Sequence, residues 1–239
     1  MKSLAVLVPV FNEERSIVHV LNRLAEIKNL IPEMSIVVVN DGSTDSTKLA
    51  LEENIHLLDD LTNLEVNSGK GEAVRIGLSK IQASYVIIQD ADLEYDPSQI
   101  PRLWSLVKEH EIDVLLTTRL NGGGLVRVHY FWHKVGNRLI TLVFNVLFNT
   151  TFTDIYSGYL IFKTNLIDAS KLRIKGWGQQ AEILSILVKS KGKIYEAPIS
   201  YHGRSYDEGK KIRASAMVGV IGAMFFGRFR KKRASNPKN

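Results

Sequence analysis

A chain of 239 residues with 45% hydrophobic and 23% charged side chains is long enough to bury one sizeable core, and its composition excludes a disordered or collagen-like protein. The formal net charge of +6 is unevenly placed, because Arg228, Arg230, Lys231, Lys232, Arg233 and Lys238 close the chain without an acid among them; this suits an anionic membrane surface or a solvated tail, not a nucleic-acid stripe. The absence of cysteine excludes disulfides and thiolate metal sites and fits a reducing compartment.

The chain begins Met1-Lys2-Ser3 and enters an apolar run over 4–9 that Asn12-Glu13-Glu14 soon ends. That is too short for a signal peptide and reads as a first strand. Further runs at 35–39, 85–89 and 113–117 are continuously apolar or β-branched, the form of strands buried on both faces. Between them, 13–27, 71–81 and 98–110 carry apolar residues at helical spacing, the last announced by Asp96-Pro97-Ser98. Such β-α-β-α order implies an α/β protein with a mostly parallel central sheet flanked by helices.

The second half is less regular, with a Gly-rich loop at 121–124, an amphipathic stretch over 126–148 and a strand-like 159–162. A helix over 179–189 and a strand pair around 193–201 follow. One domain with a tail is the default division, an α/β domain over 1–212 followed by an amphipathic, basic C-terminal segment over 213–239. No apolar run reaches the ~18–20 residues that a membrane span needs.

In open sheets of this kind ligands bind beyond the carboxyl ends of the strands. Each early strand is followed at once by polar residues: Phe11-Asn12-Glu13, Asn40-Asp41-Gly42-Ser43, Asp90-Ala91-Asp92 and Arg119. Two carboxylates one residue apart on an extended turn suit Mg²⁺ or Mn²⁺, which take oxygen ligands and leave positions for water and phosphate. From the tripeptide alone the turn is either such a site or an Asp-rich helix cap. Asp41 and Gly42 offer an acceptor and close backbone approach, while Ser68-Gly69-Lys70-Gly71 offers backbone N–H groups and a cation to a phosphate.

Read in order, Pro9-Val10-Phe11-Asn12-Glu13, Asn40-Asp41-Gly42-Ser43-Thr44-Asp45, Gly69-Lys70-Gly71, Asp90-Ala91-Asp92, Thr118-Arg119 and Asp154-Ile155-Tyr156-Ser157-Gly158-Tyr159 resemble the successive blocks of family 2 glycosyltransferases. The likeness runs over about 3–212 and is closest to the polyprenyl-phosphate type, which includes dolichyl-phosphate mannose and glucose synthases. It implies a GT-A fold, inverting transfer from a UDP- or GDP-hexose, and a divalent metal, Mg²⁺ or Mn²⁺. By matching blocks, Pro9, Phe11, Glu13 and Asp41 line the nucleoside pocket, Lys70 lies near the nucleotide, and Asp90, Asp92 and Glu94 serve metal and diphosphate. Three positions depart from the commonest pattern: Phe11 stands for Tyr, Asn40 for Asp, and Glu94 for the Gln of mannosyl relatives.

The acceptor is either a polyprenyl phosphate, already an anion that cations must hold, or a glycan hydroxyl, which needs a carboxylate base. Arg119, Arg127, Arg204 and Lys210 are candidates for the first task; Asp154 and Glu182 are candidates for the second, or else orient an arginine and cap a helix. A catalytically inactive nucleotide-binding scaffold is a reading of another class. Aromatic and basic residues over 126–148 fit either shallow insertion among lipid headgroups or a buried core helix, and the apolar 214–229 before the basic run could lie flat on an anionic surface; together they fit a peripheral protein on the cytoplasmic face of a membrane.

Overall fold

The computed structural model describes residues 2–120, 131–176, 178–201 and 216–229. The Gly-rich loop, Arg127, Arg204, Lys210 and the basic tail beyond 229 lie outside the described residues. In chain order the elements are β1 (Leu4–Val10), α1 (Ile17–Lys28), β2 (Met34–Asn40), α2 (Thr47–Glu53), β3 (Asp60–Asn63), α3 (Lys70–Lys80) and β4 (Tyr85–Ile88). They continue with α4 (Ile100–Glu109), β5 (Val114–Thr118), α5 (Phe131–Phe148), β6 (Leu160–Lys163), α6 (Gln179–Lys189), β7 (Ile194–Pro198) and α7 (Ala216–Phe229).

The seven strands form one sheet in the order β3-β2-β1-β4-β6-β5-β7. All run parallel except β6, which lies antiparallel to β4 on one side and β5 on the other. This inversion brings the segment before β6, residues 154–159, to the same sheet edge as the carboxyl ends of the other strands.

Alternation along the strands divides the core in two. Leu4, Val6, Val8 and Val10 of β1 pack with Ile17, Val20, Leu21 and Leu24 of α1 and Ile100, Leu103, Trp104 and Val107 of α4. Leu7 and the opposite faces of β5 and β6 pack with Ala73 and Val74 of α3, Phe144 of α5, and α6 and α7. The apolar positions of α1 recur every three or four residues, so one face is buried and the other meets water.

Two sequence expectations are corrected. Helix α1 begins at Ile17, not near 13, because the backbone of 12–14 is tied to the loop after β2: Asn12 N donates to Ser43 Oγ (3.0 Å), Glu13 N to Thr47 Oγ1 (2.9 Å) and Glu14 N to Asp45 Oδ2 (3.4 Å). The expected strand pair near 193–201 is a single strand, β7, with Ile199 N adding one bond to Thr118 O (3.0 Å). Edge strand β3 was not foreseen; it reads Asp-Leu-Thr-Asn and carries no apolar alternation. The helix from 216, set apart in sequence as part of a C-terminal segment, packs into the second core through Val220, Ala223 and Met224. Lys189 of α6 donates to Gly227 O and to Arg228 O (2.8 Å), satisfying carbonyls at the end of α7.

Candidate active site

The loops after β1 and β2 are built as one unit. Asn12, in the left-handed region at φ 52°, accepts from Thr44 N through Oδ1 (2.8 Å) while its Nδ2 donates to Thr44 Oγ1 (3.2 Å). Asn40, buried at the end of β2, donates to Asn63 Oδ1 (2.9 Å) and accepts from Ser43 N (3.1 Å). An aspartate, common here in the resembled family, lacks the donor that Asn63 receives.

Asp41 is buried and grips the next loop with both oxygens: Ser68 N donates to Oδ1 (2.8 Å) and Gly69 N to Oδ2 (2.9 Å). Burial raises its pKa above the ordinary aspartate value against the pull of these two bonds. Gly42 is required here, since a Cβ on it would lie 2.4 Å from the Val66 carbonyl carbon and its φ is +67°.

The expectation that the start of α3 offers its N–H groups to a phosphate is corrected. Ser68 N and Gly69 N serve Asp41, and Gly71 N donates to Lys175 O (2.6 Å). Lys70 projects its ammonium onto Asp90 Oδ1, with both side chains about a quarter exposed, at 23% each. The structure therefore brings Lys70 and Asp90 together. Phe11 and Glu13 lie partly buried beyond β1, where Glu13 Oε2 accepts from Ser16 Oγ (2.9 Å), and Pro9 is buried within the strand.

The acidic turn is braced from below. Gln89, fully buried, donates through Nε2 to the backbone carbonyls of Asp90 (2.8 Å) and Tyr95 (3.2 Å), and its Oε1 accepts the hydroxyl of Tyr159. Tyr95 packs over Gly158, where a Cβ would lie 2.5 Å from its ring. Asp92 Oδ1 accepts from Glu94 N (3.2 Å), an Asx-type turn. Glu94 turns elsewhere: its Oε2 accepts the Tyr201 hydroxyl at 2.6 Å. Among the described residues no three His, Asp or Glu side chains gather as a metal cage: Asp90 meets Lys70 and Glu94 meets Tyr201. Asp90 and Asp92 still fit a hard cation by their chemistry, because two carboxylates at a sheet edge leave the remaining ligand positions to diphosphate and water.

Arg119 follows β5 and meets Asp154 edge to edge, Nε to Oδ2 at 2.6 Å and Nη2 to Oδ1 at 2.9 Å, with the acid side chain fully buried and the arginine 14% exposed. Asp154 also accepts from Tyr156 N (3.3 Å). Behind it Glu196 of β7 accepts from Thr153 N (3.0 Å), Thr153 Oγ1 (2.8 Å) and Asp154 N (3.3 Å), and burial raises its pKa. Glu182, buried on α6, accepts from Arg173 N (3.0 Å) and Ile174 N (2.9 Å) and so fixes the segment whose Lys175 carbonyl meets Gly71. Asp154 and Glu182 are thus holders of other groups. Sequence reading missed Glu196 and the bracing roles of Tyr201, Tyr159 and Gln89; a polar residue closing a buried apolar run, as Gln89 does, was the one signal available.

The architecture is that of the GT-A glycosyltransferases. Glucosyl-3-phosphoglycerate synthase from Mycobacterium tuberculosis, solved with Mn²⁺, UDP and glucosyl-3-phosphoglycerate, matches with a TM-score of 0.70 over 95% of this chain and 80% of that one at 20% identity, a likeness of fold. The sequence profile of Glycosyl transferase family 2 matches residues 5–168, and the chain belongs to that family. Similar proteins are the low-salt glycan biosynthesis hexosyltransferase Agl6 of Haloferax volcanii (28% identical over 93% of this chain and 55% of that protein) and the undecaprenyl-phosphate mannosyltransferase of Micrococcus luteus (27%, 90% of each). The undecaprenyl-phosphate 4-deoxy-4-formamido-L-arabinose transferase of Proteus mirabilis is 29% identical over 71% of this chain and 51% of its own. The chain therefore spans about half the length of two of these relatives and most of the third.

Proposed function

We propose that this chain transfers a hexose, with inversion, from a UDP- or GDP-sugar to a polyprenyl phosphate at a membrane surface, in a reaction dependent on Mg²⁺ or Mn²⁺. The observation that carries the choice of acceptor is the state of the two candidate bases: Asp154 and Glu182 are buried and have both oxygens engaged, Asp154 by Arg119 and Glu182 by backbone N–H groups. A hydroxyl acceptor needs a carboxylate able to take its proton, whereas a phosphate acceptor arrives ionised and needs a held cation. Arg119, fixed by Asp154, is such a cation.

Asp90 and Asp92 would hold the metal, which when bound offsets the negative charge that develops on the departing nucleoside diphosphate. The loops locked by Asn12, Asn40 and Asp41 shape the nucleoside side of the edge, and Phe11 and Glu13 border it. Lys70, bound to Asp90 in this structure, supplies a cation beside the diphosphate position. Arg119 holds the acceptor anion on the other side, so that its oxygen can attack in line with the breaking anomeric bond. Arg127, Arg204 and Lys210 are proposed as further acceptor cations.

Membrane contact is supported by two helices that pack on each other. Val135, Leu139, Leu142 and Val146 recur on one exposed face of α5, near exposed Lys134 and Arg138, and α7 exposes Phe225, Phe226 and Phe229 beside Arg228. No helix among the described residues is long and apolar enough to cross a membrane, so attachment would be peripheral, on the cytoplasmic side. Similarity to undecaprenyl-phosphate transferases supports the same lipid class.

The test is a panel of UDP- and GDP-sugars with Mn²⁺, assayed with and without a short polyprenyl phosphate. Transfer that depends on the lipid phosphate is expected. Turnover with a saccharide acceptor alone overturns the choice of acceptor, and nucleotide binding without turnover overturns the enzyme. Sedimentation with anionic vesicles at low salt, reversed by high salt, tests the membrane surface.

A further inference from the structure

Glu94 lies two residues beyond Asp92, yet its carboxylate reaches across to Tyr201, which stands 107 positions later in the chain. The Tyr201 ring packs at 5.0 Å on Tyr95, the neighbour of Glu94, and Arg119 Cζ lies over the same ring at 5.1 Å. Arg119 is therefore held twice, along its edge by Asp154 and across its face by Tyr201. A planar guanidinium fixed on edge and face presents its remaining N–H groups in a set orientation. The hydroxyl bond to Glu94 in turn fixes the tyrosine, and Glu94 belongs to the turn that carries Asp90 and Asp92.

We propose that Glu94 and Tyr201 are positioning residues for Arg119, and that Glu94 serves this strut and not the metal. The inference rests on the reading of Arg119 as the acceptor-phosphate residue and deepens it: the turn that receives the donor and the arginine that receives the acceptor are joined through Tyr201, which donates to Glu94 and lies against Arg119. The hydroxyl of Tyr201 is the joint, so losing either partner of that bond should act on Arg119 in the same direction.

The experiment uses the full chain and the variants Glu94→Ala, Glu94→Gln, Tyr201→Phe, the double Glu94→Ala/Tyr201→Phe, and Asp92→Asn. Mn²⁺ binding in the presence of UDP or GDP, followed by electron paramagnetic resonance, requires no turnover. Affinity is expected to stay within about twofold of the parent in every Glu94 and Tyr201 variant and to fall ~10-fold or more in Asp92→Asn, the scale of a lost ligand or its support. With a short polyprenyl phosphate, the acceptor KM should rise roughly fivefold in Glu94→Ala and in Tyr201→Phe while the donor KM holds, and the double variant should be no worse than either single one. Glu94→Gln should restore the parent value, since its amide oxygen still accepts the hydroxyl.

A tenfold loss of Mn²⁺ affinity in Glu94→Ala makes Glu94 a metal ligand and overturns the proposal, as do single effects that simply add in the double variant. If the parent transfers nothing to polyprenyl phosphate, the acceptor reading fails by itself. The strut is then read from the Mn²⁺ measurement and from the Arg119 Nε–H resonance in ¹⁵N NMR. That resonance should move in Glu94→Ala and Tyr201→Phe and return in Glu94→Gln; an unmoved resonance overturns the strut.

Discussion

The fully buried Asp154 carboxylate accepts two hydrogen bonds from the Arg119 guanidinium and a third from Arg119 N (3.3 Å), with Glu196 and Thr153 fixing the backbone behind it. Breaking a buried, paired charge strands its partner. Asp154→Asn is therefore expected to lower the unfolding free energy by about 3 kcal/mol, the lower end of measured losses for such pairs, and to raise the acceptor KM. Urea denaturation and acceptor titration check both. A loss confined to kcat, with stability and acceptor KM intact, would instead identify Asp154 as a proton acceptor.

Much of the sheet was legible because its strands are buried on both faces and read as unbroken apolar runs, as in Leu-Ala-Val-Leu-Val-Pro-Val for β1. The parallel direction then placed Asp41, Asp90 and Arg119 on one edge. What could not be read was long-range pairing of side chains. Nothing local in the sequence says that Glu94 meets Tyr201, or that Glu182 holds the backbone of 173–174. Polar edge strand β3 and the packed face of α7 were hidden for a related reason: β3 is placed by its pairing with β2 and α7 by its packing on distant residues, not by periodicity of their own.

Glu182 stabilises the segment that abuts the start of α3, so its effect should appear on the donor side. In Glu182→Gln one acceptor oxygen becomes an amide that faces the N–H groups of Arg173 and Ile174. A loss of roughly 1–3 kcal/mol follows from leaving a buried donor unsatisfied. The donor KM is expected to rise while the acceptor KM stays constant, as measured by separate substrate titrations; the reverse pattern would return Glu182 to the acceptor side.

Gly71 tests how tightly that segment fits. A Cβ there would lie 2.0 Å from Ile174 O and 2.8 Å from the Lys175 carbonyl carbon, so neither backbone can yield cheaply. Gly71→Ala should cost about 1–3 kcal/mol, the range for overpacking, and weaken UDP binding with Mn²⁺. Gly176→Ala is the control, because a Cβ at that position meets nothing within 4 Å. Thermal melts and calorimetric UDP titration of the pair should separate them, and equal behaviour of the two variants would remove the close fit as an explanation.

Asp41 ties the nucleotide side of the site to pH. Burial, assisted by the nearby Glu72 charge, raises its pKa above the ordinary 3.8 although Ser68 N and Gly69 N pull the other way. The folded state thus binds this proton more tightly than the unfolded chain. The stability that Asp41 contributes is full below its unfolded pKa and is lost as pH rises through the raised folded value. Nucleotide binding has the opposite sign, because protonation removes one of the acceptors that hold Ser68 and Gly69 ahead of Lys70. As pH falls through the raised pKa, UDP affinity should therefore drop while the Asp41 contribution to folding grows. In Asp41→Asn both dependences should vanish over that window, so the difference between parent and variant isolates the contribution of Asp41. Calorimetric UDP binding and melts of the unliganded protein, stepped through the acid range, are the measurement; superimposable parent and variant profiles would show that the loop does not depend on this carboxylate.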